Sequence, residues 1–212
     1  FAWHLDGYDR NTENLEIAGF ATADPAERPA TEVPGILPNS YSESDGFSAG
    51  ASWVGERGYL GASVATFNST YGLPGPVEPD DGSEPLLFEG PFLDMEQTRV
   101  DVRGEYNFEE SAFETVKLAL ATNNYTHQEI EPTGEVATTW DNEQWQARAE
   151  AVHRELAGFR GALGLQLDSR DLAALGEEAF ISPTETRAVG VFIAEERALD
   201  WGAVSAGARV ES

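Results

Sequence analysis

The residues with the clearest capacity for chemistry lie in the segment YTHQEIE, where four polar side chains recur at every second position. They are Tyr125, His127, Glu129 and Glu131. Side chains two positions apart in an extended strand project from the same face. Imidazole and carboxylate groups are ligands for zinc and similar divalent ions. The spacing therefore indicates a metal-binding face, and a polar rim with a hydrogen-bonded histidine is the alternative.

A second pair with the same spacing, His4 and Asp6, stands near the start of the sequence. Neither this pair nor the first cluster supplies enough certain ligands for a closed tetrahedral zinc site, so further ligands would have to come from elsewhere. A polar wall without metal is the alternative for this pair. The third histidine, His153, has apolar neighbours, and we expect it to pack at an interface rather than to bind metal.

Other segments with possible chemistry give weaker signals. The sequence PDDGSEP at residues 79–85 resembles a calcium loop, but it lacks the spacing and the final glutamate of an EF-hand, so an acidic turn is the better interpretation. Glu177 and Glu178 are adjacent and point to opposite faces if the chain is extended there. The chain contains no cysteine and no GxSxG element. We therefore expect no enzymatic activity and no resident cofactor.

The elements that must position these residues are β-strands. The segment RVDVRGEYNF alternates polar and apolar residues without interruption, and Arg99, Asp101, Arg103 and Glu105 form its charged side. Similar alternation predicts nine strands, and a helix over 142–156 is the main alternative for one of them. The predicted strands span residues 2–10, 46–55, 58–68, 94–107, 113–128, 143–155, 158–170, 186–198 and 202–211.

The connections between these segments alternate strictly between long and short. The long ones cover residues 11–45, 69–93, 129–142 and 171–185. An up-and-down antiparallel sheet brings every second turn to the same end, so all the long loops are expected together. Outer-membrane barrels have this asymmetry, whereas a Greek-key sandwich would scramble the order. The pattern predicts an all-β, antiparallel, up-and-down sheet.

The charge of the chain is strongly negative. Acidic residues outnumber basic residues by 38 to 13, which gives a net charge of -25. Such a chain repels nucleic-acid phosphates and attracts cations, so we expect no nucleic-acid partner. The long loops hold twenty acids and one base, Arg28. Either these loops are exposed and acidic without a specific role, or they form an opening of the sheet that attracts cations.

Alternation alone does not decide which face lies inside, because soluble and membrane barrels have opposite assignments. The aromatic residues favour a membrane barrel, since they are expected to form two girdles at the level of the lipid headgroups. Arg99, Asp101, Arg103 and Glu105 would then face a watery lumen. One girdle lies beside the short connections (Trp53, Tyr59, Phe108, Phe113, Phe159, Trp201) and the other beside the long ones (Tyr8, Phe67, Tyr71, Tyr125, Trp140, Trp145).

Four segments resemble the barrel of TonB-dependent outer-membrane receptors, and most closely the branch associated with zinc uptake. The similarity covers nearly the whole chain, and the segments occur in the expected order. They are GASWVGERGYLGASVATFNSTYGLPG (50–75), DMEQTRVDVRGEY (94–106), NNYTHQEIEPTGEVATTWDNEQWQARAEAVH (123–153) and GEEAFISPTETRAVGVFIAEER (176–197).

The resemblance implies a transmembrane β-barrel of about 22 strands in the outer membrane of a Gram-negative bacterium, closed by a plug that engages the TonB complex. It also implies contact with lipid and uptake of a scarce solute, such as zinc or a metal chelate. The chain shows neither the plug nor the TonB-binding box. We therefore expect residues 1–212 to form one partial barrel domain, about the first half of a wall, completed by the remaining barrel strands. A self-contained soluble β-barrel that binds a small molecule is the alternative.

Overall fold

The computed structural model describes residues 1–30, 32–75, 90–176, 179 and 181–212. The chain forms one nine-stranded sheet in which every strand pairs antiparallel with its neighbours in chain order. The predicted all-β, up-and-down arrangement is therefore confirmed. The strands are β1 (Ala2–Thr12), β2 (Ser42–Gly55), β3 (Gly58–Gly72), β4 (Phe92–Asn107), β5 (Phe113–Ile130), β6 (Val136–Leu156), β7 (Phe159–Gly176), β8 (Thr184–Leu199) and β9 (Gly202–Glu211).

The sheet is open within the described part of the chain. Strand β1 pairs on one side with β2, and β9 pairs on one side with β8, so the outer edge of each has no partner strand there. The segment for which a helix was the alternative lies entirely in β6. Alternating small and polar residues therefore outweigh its helix-forming composition in this context.

All four predicted long loops are shorter than expected, and two of them are much shorter. Strand β6 begins at Val136 rather than at residue 143, and β7 ends at Gly176 rather than at residue 170. The missed ends lack a regular alternation of polar and apolar residues, since the start of β6 reads VATTWDN and the end of β7 reads DLAALG. They are held by pairing across strands, as in the bond from Thr126 Oγ1 to Asp141 Oδ1 at 2.9 Å. The connection between β5 and β6 is reduced to residues 131–135.

The sheet has a polar face and an apolar face, which are defined by register. Residues paired across neighbouring strands project to the same side, so each row of partners belongs to one face. We call the side that carries Arg99, Asp101 and Arg103 the polar face. The opposite side is the apolar face, and its rows include Val64–Val100 and Gly104–Leu118–Ala149–Leu165–Val191.

The apolar face is not covered by any other part of the described chain. Among the described aliphatic, aromatic and methionine side chains, only Ala174 is buried. Large side chains in the middle of the face remain open, with Leu118 at 55% and Val191 at 52% exposure. A soluble domain of this length normally buries about 70% of the surface of its unfolded chain. The sheet therefore lacks the hydrophobic core of a soluble fold.

Apolar side chains occupy only one half of the length of the apolar face. In β7 it runs from Phe159 to Leu167, and Ser169 and Asp171 follow on the same face. This run is about 27 Å long at roughly 3.4 Å per residue. Beyond it, hydrogen-bonded polar pairs occupy the same face in other strands, such as Asn68 with Asp45 and Thr126 with Asp141. The apolar residues thus form a band of limited height beside the short turns.

The loop between β1 and β2, residues 13–41, is folded against the base of the next loop. Asn39 is 2% exposed and donates both amide hydrogens, to the carbonyl of Leu73 at 2.7 Å and to that of Pro91 at 2.8 Å. Its φ of 52° is left-handed, a conformation that asparagine tolerates better than most residues. Asn39 therefore joins the bases of the two loops.

Candidate functional site

The charged ladder predicted from the sequence lies together on the polar face. Arg99 holds Asp101 through two bonds, Nε to Oδ2 at 2.6 Å and Nη2 to Oδ1 at 2.8 Å. The guanidinium of Arg103 is 3.9 Å from Asp101 Oδ1 and is 68% exposed. Glu105 stands in the same rows and pairs in register with Lys117. These four residues therefore share one face, as expected, whereas the lumen that they were assigned to remains a prediction.

Polar contacts between strands extend this ladder, and sequence analysis did not identify them. Glu150 lies 3.6 Å from Lys117 Nζ and 3.0 Å from Arg148 Nη2. Gln146 donates to Asp168 at 2.6 Å. Arg148 and Glu150 share β6, but the other partners lie on different strands, so the register had to be known before they could be paired. Alternating polar residues within each strand were the available signal.

The predicted pair His4 and Asp6 is brought together, and Ser48 of β2 joins it. His4 Nε2 is 3.4 Å from Asp6 Oδ2 and 3.1 Å from Ser48 Oγ. Ser48 donates to Asp6 Oδ1 at 2.7 Å. The side chains of His4 and Asp6 are 57% and 68% exposed, so the group is open to solvent. Both carboxylate oxygens and the imidazole nitrogen thus already have polar neighbours.

The second predicted cluster is only partly assembled. Tyr125 Oη lies 3.1 Å from His127 Nδ1, and their rings meet edge to face with centroids 6.2 Å apart. Glu129 follows on the same face of β5, whereas Glu131 lies beyond the strand in the connection to β6. In the ranges that the structure describes, no group of three or more His, Cys, Asp or Glu side chains could hold a metal ion. Additional ligands would be needed for zinc at this place.

We expected the aromatic residues beside the long connections to form a girdle facing the lipid, but the pairing register places most of them on the polar face. Tyr8, Phe67 and Tyr125 lie in one row with Gly46 and Gln97, and this row belongs to the polar face. The same parity places Tyr71 and Trp140 on that face, whereas Trp145 is on the apolar face. Proximity to a strand end in sequence does not determine the face, and a shift of one residue changes it.

Some of the aromatic residues beside the short turns lie at the edge of the apolar band, whereas Tyr59 is on the polar face. Trp53 and Phe159 have apolar-face parity and are 55% and 39% exposed. His153, which we expected to pack at an interface, is 15% exposed, and its Nε2 is 3.0 Å from Glu195 Oε1. This ion pair was not predicted, because Glu195 is distant in sequence and adjacent only through the pairing of β6, β7 and β8.

Two predictions from the sequence fall outside the described residues. They concern the acidic turn at 79–85 and the adjacent pair Glu177 and Glu178. No helix among the described residues is long and apolar enough to span a membrane. A scan of the chain against models of known protein families finds no match. The fold and the polar and apolar faces therefore carry the functional argument.

Proposed function

We propose that this chain forms part of the wall of a TonB-dependent transporter in the outer membrane of a Gram-negative bacterium. The transporter takes up a scarce solute, zinc or a metal chelate, and the chain has no catalytic role. The observation that supports this proposal is the apolar band, a face of exposed Leu, Val and Ile side chains that ends halfway along the strands. Lipid would cover this band, and the polar face would line the path of the solute.

The height of the band fits a bilayer. Strands of membrane barrels are tilted by about 35–45°, so a run of roughly 27 Å along the strand rises about 20 Å, against an apolar band of about 25 Å in such barrels. Transfer of a large aliphatic side chain out of water is favourable by about 1.5–3 kcal/mol. A soluble barrel would instead direct the same side chains into a core, where they would be buried.

The open edges of β1 and β9 require partners in this setting. Each unpaired backbone group costs several kcal/mol in hydrocarbon, so spanning sheets must have every strand paired. The remaining barrel strands would pair with these edges. The plug would supply the link to the TonB complex, together with ligands that His127, Glu129 and Glu131, or His4 and Asp6, do not provide by themselves.

The proposal is tested by partition and gel mobility. We expect the complete protein that contains this chain to be recovered folded in detergent extracts of outer membranes. Its migration on gels should depend on heating, because a folded β-barrel resists denaturation by detergent until it is heated. Circular dichroism on the unheated sample checks that the faster species is β-structured.

The soluble alternative predicts a different result. A stable, folded monomer in plain buffer, with no need for detergent, would contradict the membrane assignment. Size-exclusion chromatography with light scattering distinguishes this monomer from aggregates, which an exposed apolar band would form in the absence of lipid.

A further inference from the structure

The polar face contains a hollow between β1, β2, β3 and β4. Its volume is about 470 Å³, which is within the range of small-molecule sites. Small residues from β2 and β3 form its floor, and the larger side chains stand around it. The floor includes Gly50, Ser52, Gly61 and Ser63, and the surrounding side chains are His4, Tyr59, Arg99, Asp101 and Arg103.

The glycines of the floor keep the hollow open. A Cβ atom at Gly61 would lie 2.3 Å from Ser52 Oγ, and one at Gly50 would lie 3.4 Å from His4 Nδ1 and 3.1 Å from Ser63 Cβ. Larger residues at these positions would therefore displace their neighbours. Because the floor is low, the guanidinium groups of β4 reach solvent above it.

The charges that line the hollow do not balance. Asp101 is its one carboxylate, and both of its oxygens are already bound by Arg99. At 3.9 Å from Asp101 Oδ1, the nearest guanidinium nitrogen of Arg103 is beyond hydrogen-bond distance. Arg103 has no hydrogen bond to any other described residue. Two guanidinium groups thus share one carboxylate, and the hollow has an excess of positive charge in a chain whose net charge is -25.

We propose that this hollow binds the carboxylate group of an organic anion, with Arg103 as its principal donor and Arg99 beside it. A guanidinium presents paired donors that match a carboxylate, and the bond between them is charge-assisted. A bare divalent cation would instead meet two positive groups. As a statement about the transported solute, this inference rests on the proposed function and favours an anionic chelate over a free metal ion.

The test is a calorimetric titration of the complete detergent-folded protein that contains this chain, with citrate as the probe. We expect citrate to bind, and the change Arg103→Gln to weaken binding about tenfold or more, which corresponds to the loss of one charge-assisted bond. The matched control is Arg160→Gln, on the same face but outside the hollow, where Nη2 is 2.6 Å from Glu114 Oε2. This control should leave citrate binding within about twofold, since an exposed pair contributes little.

A steric variant separates binding in the hollow from general attraction of anions. Ser63→Leu leaves every charge in place but fills the floor, and we expect it to abolish citrate binding. Glucose, which is neutral and of similar size, should not bind to the unchanged protein. Absence of citrate binding to the folded protein would overturn the proposal, as would equal losses in Arg103→Gln and Arg160→Gln.

These outcomes are independent of the membrane assignment. Heat-dependent mobility of the same sample establishes the folded wall whether or not citrate binds. Conversely, a soluble monomer that binds citrate through Arg103 would support the hollow as a binding site and would contradict the proposed transporter. The two failures are therefore distinguishable.

Discussion

Asn39 shows how one side chain can organise the end of the sheet that carries the longest loop. Its amide connects the loop of residues 13–41 to the carbonyls of Leu73 and Pro91. Gly72 and Gly90 lie against it, and Cβ atoms there would come within 2.4 Å and 2.5 Å of its amide atoms. The three positions form one close contact at the bases of two loops.

Asn39→Gly should loosen both loops together, because glycine keeps the left-handed backbone but removes both hydrogen bonds. The loss corresponds to about 1–3 kcal/mol of local stability. Hydrogen exchange measured by mass spectrometry should become faster in residues 13–41 and also near Leu73 and Pro91. Asn68→Ala is the control, since it removes one exposed bond to Asp45. Faster exchange confined to residues 13–41 would contradict the coupling.

Glu32 gives the same loop a dependence on pH. Its side chain is fully buried, and it accepts a hydrogen bond from the backbone N–H of Thr22 at 2.8 Å. Burial acts to raise its pKa, but the hydrogen bonds from Thr22 and the charge of Arg28 hold the pKa of Glu32 below its ordinary value of 4.5. The ionised carboxylate is therefore the form that stabilises the loop.

The expected pH profile follows from the direction of this shift. A lowered pKa contributes stability that is present above pH 4.5 and is lost as the pH falls through the folded-state pKa. Hydrogen exchange of residues 13–41, corrected for its intrinsic pH dependence, should show reduced protection in acid. Glu32→Gln should remove this dependence. An unchanged acid profile in Glu32→Gln would exclude Glu32 as its source.

His127 is the residue on which a zinc site in this chain depends most. Zinc titrated into the complete receptor should bind more weakly when His127 is changed to Ala, because imidazole is the only nitrogen ligand in its cluster. His153→Ala is the matched control, since its imidazole is already paired with Glu195. Unchanged zinc affinity in His127→Ala would remove this residue from the site.

At the scale of the strand, substitution by arginine is expected to destabilise the protein much more on the apolar face than on the polar face. Leu118 is at the middle of the apolar band in β5, and Ala121 is on the polar face of the same strand, beside Asp101 and Gln146. Leu118→Arg should destabilise the folded state in lipid by about 2–4 kcal/mol if it lies near the bilayer midplane. Ala121→Arg should cost much less.

Unfolding by denaturant in lipid vesicles measures this difference. Equal losses of stability in Leu118→Arg and Ala121→Arg would mean that lipid does not cover the apolar face. A larger loss in Ala121→Arg would mean that the polar face, rather than the apolar face, tolerates a charged side chain less, which contradicts a lipid-covered apolar face and a watery polar face.

At the scale of the whole molecule, the distribution of charge separates two regions that share one chain. Basic residues such as Arg99, Arg148 and Arg160 stand on the polar face and are paired with acids there. The strand ends beside the long loops carry acids on both faces, which is compatible with water on both sides of the sheet there. The net charge of -25 is thus not a property of the polar face.

The distribution of charge also predicts how citrate binding depends on salt. The affinity for citrate should fall as salt rises, because the guanidinium groups of Arg99 and Arg103 are exposed and their charges are screened within about 10 Å at 0.1 M ionic strength. A salt-independent affinity would mean that the bound group is removed from solvent, contrary to the exposure of Arg103.

Alternation with a period of two was sufficient to predict nine strands, because the side chains of a strand alternate whatever its neighbours are. The alternation of long and short connections predicted their up-and-down antiparallel order. The period of two also placed Arg99, Asp101, Arg103 and Glu105 on one side, and His4 with Asp6. It failed at the start of β6 and the end of β7, since these segments, VATTWDN and DLAALG, do not alternate regularly between polar and apolar residues.

Only the tertiary structure decided which residues of different strands meet. The register brought Ser48 to His4 and Asp6, joined Glu150 to Lys117, and moved Tyr8, Phe67 and Tyr125 to the polar face, because one step in pairing reverses the side on which a residue lies. The hollow beside Arg103 and the contact made by Asn39 also depend on this pairing. Local sequence determines the period of a strand, whereas its neighbours determine what each side chain faces.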